Sequence, residues 1–397
     1  MFKFDFDIED AEDLDVVEPS VQTNKERGAL DSSNMSVALE SFAEVPIVQL
    51  LDILPSLISY SPLRIPLSSS RKELTLLRRD LFDARFQLIS EGVGDGVNAS
   101  QILSEEPPIS SQLLRDRKAL DFLDAPSDLV PGVYEGGLKT WECSLDLVDY
   151  LDTLKDMPGY DGFEGKKVLE LGCGTGVPSL YILYELLSAV SPSSASERTE
   201  IHLQDYNQSV LQFVTLPNLL LTWYASPLAN DYRASINDPD IAPLLDPTVH
   251  GELPITPELK AAFLSSFNKS KIAIRLFSGS WDTFDPFKTI GTDSYDILLT
   301  SETVYRTDSL LPLVNLMRAA VGMGTQASDR EDVASSERPN KETRGYLCLV
   351  AAKVLYFGVG GGIPDFLETL KNVNADVETV LERTAGVGRK TMRVRWY

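Results

Sequence analysis

The sequence predicts an α/β fold: a seven-stranded, mostly parallel, Rossmann-like sheet with helices on both faces, a C-terminal antiparallel hairpin, an N-terminal acidic tail and a helical extension. Three observations predict it. Beyond Pro131, short apolar strand patterns alternate with helical ones, as in a parallel sheet covered on both sides. Residues 168–176, Val-Leu-Glu-Leu-Gly-Cys-Gly-Thr-Gly, place three glycines directly after a strand and before a helix. At the far end, 375–383 and 390–396 read as strands around Ala385-Gly386-Val387-Gly388, a hairpin rather than another parallel crossover.

The elements follow in order. Residues 1–36 are acidic and polar, with Phe2, Phe4 and Phe6 interleaved, and are expected to form a disordered tail. Residues 37–125 are expected to be a helical extension and linker. Within them, 45–57 and 71–91 read as helices, 60–67 with two prolines as an extended connector, and the Gly-, Ser-, Glu- and Pro-rich stretch 92–111 as a linker. The catalytic domain is placed at 126–397. It opens with an amphipathic helix at 144–154 and the strand 166–172, then continues through the helix 177–187, the strand 200–204 and the helix 207–214. A Pro- and Asp-rich stretch at 225–254 leads to the helix 257–267, the strands 272–277 and 295–300, the helix 310–321 and the strand 346–352. Residues 191–198 and 324–344 are polar insertions, expected on the surface.

Composition narrows the function classes. The chain of 397 residues carries a formal charge of −23, which repels a nucleic-acid backbone and attracts a basic partner. No apolar run reaches the ~18 residues of a membrane span, and the N-terminus lacks a secretory pattern. Three separated cysteines and two histidines fit a reducing compartment and supply no metal-ligand cluster, so no metal is expected. A monomer in the cytoplasm, and also in the nucleus, is the expectation.

The chemistry gathers at strand ends. In the loop 172–176 the spacing is G-x-G-x-G after Glu170, not the G-x-G-x-x-G of dehydrogenases. That spacing resembles the first motif of S-adenosylmethionine-dependent enzymes, and the mostly parallel sheet closed by a hairpin is the arrangement of seven-stranded methyltransferases. Asp205 ends the next strand, where a carboxylate can accept both hydroxyl protons of a ribose; as an alternative it simply caps the following helix. His202, inside that strand, is read as a packed residue without a catalytic role. Gly279, Ser280 and Trp281 follow the strand 272–277, and the indole reads equally as a flank for adenine or as a core anchor. Ser301, Glu302 and Tyr305 follow the strand 295–300 in an E-x-x-Y pattern, an acid and a phenol in the same crevice. Residues 353–362, with Lys353, Tyr356, Phe357 and four glycines, read as a substrate-facing loop.

Together these segments are similar to the histidine protein methyltransferase family, whose members methylate a histidine of a large-subunit ribosomal protein. The matching pieces are Tyr-Glu-Gly-Gly-Leu-Lys-x-Trp-Glu-Cys at 134–143, Leu-Gly-Cys-Gly-Thr-Gly at 171–176, Gln-Asp-Tyr-Asn at 204–207, Thr-Leu-Pro-Asn at 215–218, Thr-Ser-Glu-Thr-Val-Tyr at 300–305 and Tyr-Phe-Gly-Val-Gly-Gly-Gly at 356–362. Departures are confined to the loops, chiefly 225–254 and 324–344. The resemblance implies S-adenosyl-L-methionine as cofactor, held by Trp141, Glu170, Gly172, Cys173, Gly174, Thr175, Gly176, Asp205, Asn207, Gly279, Ser280, Trp281 and Ser301. It implies a basic protein, a large-subunit ribosomal protein, as partner. Glu302 or Tyr305 is expected to accept the N–H of the acceptor imidazole and so fix its tautomer. A related lysine methyltransferase and an acidic binding factor for a basic protein are the rival readings.

Overall fold

A computed structural model describes residues 40–88, 129–130, 134–189, 197–236, 246–291, 294–323, 345–356 and 360–397. The expected tail at 1–36, the linker 92–111 and most of the insertions at 191–198 and 324–344 lie outside the described residues.

Strand β6 (Lys167–Leu171) is the centre of the fold. Val168, Leu169 and Leu171 are all buried, the continuous apolar run of a strand covered on both faces. It pairs in parallel with β7 (Thr199–Asp205) on one side and β10 (Ile297–Ser301) on the other. Beyond β7 comes β9 (Ile272–Ser278), and beyond β10 comes β11 (Leu347–Lys353), both parallel. The hairpin β12 (Ala375–Arg383) and β13 (Arg389–Trp396) then adds antiparallel to β11 through β13. Each of these strands lies where the sequence places one, but the expected count of seven is exceeded, because the sheet has eight. An eighth, β1 (Ala43–Val45), adds antiparallel to β9 at the opposite edge, and β4 (Leu129–Val130) and β5 (Tyr134–Glu135) form a separate two-stranded ladder. The chain leaves β6 for β7 on one side and later returns to β10 on the other, so a crevice opens at the carboxyl ends of β6 and β10.

Helices cover both faces. Glu142–Leu154, Val177–Ser188, Leu216–Ala225 and Pro257–Lys269 pack with Val168, Ile201 and Leu299. On the other face Thr307–Ala320 and Ile363–Asn372 pack with Leu169, Leu171 and Val350. Among the described residues no helix is long and apolar enough to cross a membrane.

The expected helical extension is corrected. Residues 45–57 contain only the short helix Ile47–Asp52, preceded by β1 and by Pro46, and residues 71–91 hold β3 (Glu73–Arg79) before the helix Leu81–Leu88. The connector at 60–67 is part of β2 (Leu57–Pro66). β3 pairs with β2, and β2 pairs with β8 (Gly251–Pro254), a strand at the end of the Pro- and Asp-rich stretch 225–254, for which the sequence predicts no strand. The physical reason is tertiary: Leu74, Leu76 and Leu77 bury themselves by pairing across β2, and that outweighs the helix propensity of a Leu- and Arg-rich run. Pro62 is tolerated because β8 reaches only Leu57 to Tyr60, leaving the rest of β2 with a single neighbour.

The helix Glu142–Leu154 carries Asp146, Asp149 and Asp152 along one buried face. Asp146 Oδ2 lies 2.6 Å from Arg389 Nε, and Asp149 pairs with Arg383, both arginines coming from the terminal hairpin. The same Asp149 accepts the Ser68 hydroxyl at 2.8 Å, and Asp152 accepts Tyr181 Oη at 2.8 Å and the Ser69 hydroxyl. One helix therefore joins the small sheet to the large one. Asp149→Ala strands the Ser68 N–H and hydroxyl beside Arg383 and should cost about 1–3 kcal/mol of unfolding free energy, measured by urea denaturation.

Candidate functional site

The loop 172–176 turns sharply after β6 with Gly172, Gly174 and Gly176 at φ of 60°, 51° and 74°. These are left-handed conformations that glycine adopts without steric cost. Space demands glycine as well: a Cβ on Gly172 would lie 2.5 Å from Thr303 Cγ2, and one on Gly174 would lie 3.1 Å from the Gly137 carbonyl oxygen. The crowding comes from the segment 136–140 and from Thr303, so the loop is closed in by its own chain.

Hydrogen bonds hold it there. Gln204 Oε1 accepts Gly172 N at 3.2 Å and Trp281 Nε1 at 2.8 Å, while its Nε2 donates to the Gly279 carbonyl at 2.8 Å. Cys173 N donates to the Gln204 carbonyl at 2.8 Å, and Gly174 N to Asp205 Oδ2 at 2.9 Å. Asp205 Oδ1 accepts Asn207 N at 3.0 Å, so Asp205 both braces the loop and caps the turn after β7. An ionised carboxylate offers about four acceptor sites, which leaves the ribose reading compatible with this bracing. Asn207 reaches the Gly136 carbonyl through Nδ2 at 3.4 Å, and Thr140 Oγ1 donates to Thr175 Oγ1 at 3.2 Å, so the 134–143 segment lies over the loop.

Trp281 is half-buried beside Gly172. Its turn is clamped by residues 40–42: Ser280 N donates to the Glu40 carbonyl at 2.9 Å, Phe42 N donates to Thr283 Oγ1 at 2.8 Å, and Phe42 stacks on Phe284 with ring centroids 3.9 Å apart. Two expected cofactor residues sit deeper than the sequence suggests. Glu170 is 1% exposed and takes both the N–H and the hydroxyl of Ser179 on Oε2, whereas its Oε1 has no hydrogen-bond partner among the described residues. Burial pushes its carboxyl up to about 8, against the pull of the Ser179 bonds. Cys173 is buried, with its thiol raised well above the usual range by burial, and joins the loop through its backbone.

A second cluster stands at the ends of β10 and β11. Ser301 closes β10, half-buried. Glu302 follows at φ 59°, a left-handed conformation that is costly for a residue with a Cβ, and its N–H donates to the Ala351 carbonyl at 2.9 Å. Glu302 Oε2 accepts the Tyr356 hydroxyl at 2.6 Å, and Oε1 accepts Cys143 N at 3.4 Å. Lys353 Nζ lies 3.8 Å from Glu302 Oε1, 3.2 Å from Glu142 Oε2 and 4.3 Å from the centre of the Trp141 ring. Tyr305 meets Tyr356 edge-on, with ring centroids 6.2 Å apart. Thr303 Oγ1 and Thr300 Oγ1 are 2.7 Å apart, and Thr300 donates to the Leu171 carbonyl at 2.8 Å, which ties this cluster to the root of the glycine loop. Phe357 and residues 358–359 lie outside the described residues.

No protein-family model matches the chain. Over 381 residues it is 30% identical to histidine protein methyltransferase 1 of Schizosaccharomyces pombe, spanning 94% of this chain and 89% of that protein. The Saccharomyces cerevisiae protein of the same name is 33% identical over 296 residues, 73% of this chain and 67% of its own. The chain belongs to the histidine protein methyltransferase 1 family. A homolog from Bos taurus is 34% identical over 259 residues, 64% of this chain and 54% of that protein. Among solved structures, the rRNA methyltransferase aviRa of Streptomyces viridochromogenes aligns with 67% of this chain and 88% of its own at 12% identity and a TM-score of 0.32.

In this family member the structure brings the expected residues into two adjoining groups, the loop 172–176 with Asp205, Asn207 and Trp281, and Glu302 with Trp141. Gln204, Thr303 and Tyr356 are the contributors whose contacts were not foreseen. A buried glutamine beside Asp205 is the signal for the first, because a strand interior rarely carries an amide without partners for it. His202 is fully buried between Phe277 and Tyr295, its Nδ1 2.8 Å from the Tyr295 hydroxyl, and burial lowers its pKa, in keeping with a packing role.

Two measurements check the site. Gly172→Ala forces a left-handed alanine against Thr303 and should cost at least ~1–2 kcal/mol, read by chemical denaturation. Glu170 ionises near its ordinary 4.5 when unfolded and near 8 when folded, so the native state holds an extra proton between these values and stability falls as pH rises through that window. Glu170→Gln removes this slope; its unfolding free energy relative to the parent protein should improve from pH 5 to pH 8.

Proposed function

We propose that the protein transfers a methyl group from S-adenosyl-L-methionine to a histidine side chain of a protein. The observation that carries this reading is Glu302, held in a left-handed turn and bonded to Tyr356, at the end of β10 directly beside the glycine loop at the end of β6. The residues present suit the cofactor: glycines that admit a tight turn, the Asp205 carboxylate for ribose hydroxyls, the Trp281 indole for adenine, and an unpartnered carboxyl oxygen on Glu170 for the amino-acid end.

When bound, S-adenosylmethionine supplies a methyl group on a sulfonium that is its own leaving group. The chain must therefore align the acceptor and exclude water. A neutral imidazole presents one lone-pair nitrogen and one N–H. Glu302, ordered by Tyr356, Cys143 N and Lys353, is an acceptor for that N–H, which turns the other nitrogen toward the methyl group. Histidine, unperturbed near pKa ~6.5, is largely neutral at pH 7, whereas lysine near ~10.4 must first lose a proton, so this site needs no dedicated base. The charge of −23 supports a basic partner, and a large-subunit ribosomal protein has that chemistry. A soluble monomer of cytoplasm and nucleus is the setting in which it would meet newly made ribosomal proteins.

Incubation with a ribosomal protein extract and S-adenosylmethionine, followed by mass spectrometry, should find methylhistidine. Methyllysine would favour the related lysine activity, and no methyl mark despite stable capture of a basic protein would favour a binding factor. Glu302→Ala, which removes the acceptor altogether, should lower turnover by ~10²-fold or more, and more than Tyr305→Phe does; unchanged turnover would remove Glu302 from this role.

A further inference from the structure

Thr215 closes the π turn Leu211–Thr215, and Asn218 lies in the first turn of the helix Leu216–Ala225 that follows. Thr215 and Asn218 are both fully buried, and each spends its side chain on the glycine loop. Thr215 Oγ1 donates to the Gly174 carbonyl at 2.7 Å, and Asn218 Nδ2 donates to the Thr175 carbonyl at 3.0 Å. The other end of the same amide, Asn218 Oδ1, accepts the backbone N–H of Arg79 at 2.8 Å, from a strand 139 residues earlier. Arg79 is itself buried, and its Nη1 donates to the Phe213 carbonyl within the π turn at 3.0 Å. Chemistry fixes the orientation of the amide, because the flipped arrangement would set N–H against N–H at Arg79 and carbonyl against carbonyl at Thr175. A carboxylate has no donor for Thr175, and an aliphatic side chain serves neither end.

We propose that Asn218 is a positioning residue that couples the small sheet β3-β2-β8 to the cofactor loop, so that ligand binding at the loop and the closure of β3 onto the π turn are linked. The inference rests on the cofactor reading above and adds to it a long-range contribution from the N-terminal strands. Linkage is reciprocal: a ligand that favours the held form of the loop must also tighten β3. Replacing a purely structural asparagine would instead lower stability equally with and without ligand.

The test uses the full chain and S-adenosylhomocysteine, with calorimetry for affinity and amide hydrogen exchange across Glu73–Arg79 for coupling. The unsubstituted protein should bind, and exchange at Arg79 should slow on saturation. Asn218→Asp keeps the acceptor for Arg79 but turns a carboxylate toward the Thr175 carbonyl; its Kd should rise about tenfold or more, and ligand should no longer slow exchange in β3. Binding within twofold of the parent, or equal ligand protection of β3 in both proteins, would overturn the coupling while leaving the cofactor reading intact. Absence of any binding by the parent protein would overturn the cofactor reading and the coupling together. Should Asn218→Asp fail to fold, the exchange measurement on the parent protein decides alone, because unchanged exchange at Arg79 on saturation overturns the coupling.

Discussion

The held conformation of the glycine loop is the constraint on which the head of this sheet depends. Three left-handed glycines let the chain reverse after β6, but glycine alone permits many conformations and selects none. Selection comes from partners on every side: Gln204 and Asp205 on the N–H groups of Gly172 and Gly174, Thr215 and Asn218 on the carbonyls of Gly174 and Thr175. The groups of Gly174 and Thr175 are buried and that of Gly172 is half-buried, and a buried polar group left without a partner is expensive, so the network is cooperative in the sense that few members can be lost singly.

From that loop the same logic reaches outward. Gln204 also fixes Trp281 and Gly279, and the turn carrying them is clamped by residues 40–42, so the edge strand β1 helps place the indole. Asn218 reaches back to β3. The N-terminal strands are thus part of the framework of the site, although the sequence between them and the catalytic segments runs through a long stretch outside the described residues.

The Glu302 cluster obeys a different principle. A carboxylate with a side chain only 9% exposed must be hydrogen-bonded and neutralised, and Tyr356, Cys143 N and Lys353 do both. The left-handed backbone at Glu302 costs of order 1 kcal/mol or more and is retained where the surroundings over-determine it, a recurrent property of functional turns. The cation of Lys353 rests on Trp141 between the carboxylates of Glu142 and Glu302, two acids to one base, so the acceptor oxygens of this corner outnumber what the ammonium can neutralise.

Much of this was legible in the sequence because it is local. Apolar strand runs, three glycines after β6, an acid ending β7 and a terminal hairpin each depend on neighbouring residues alone, and the catalytic-region elements stand within a few residues of where periodicity put them. The motifs at 134–143 and 356–362 pointed to the family before any geometry did. What the sequence could not reveal is non-local: β2 and β3 read as connector and helix because their stability comes from pairing with each other and with β8, nearly two hundred residues on. For the same reason Gln204, Asn218 and Tyr356 stand in the sequence only as members of motifs, and their individual roles exist only through contacts with Trp281, Arg79 and Glu302. Local pattern determined which elements form and where the glycine loop lies; only the tertiary structure decided which buried donors and acceptors meet there, because hydrogen-bond partners distant in the chain carry no shared period to read.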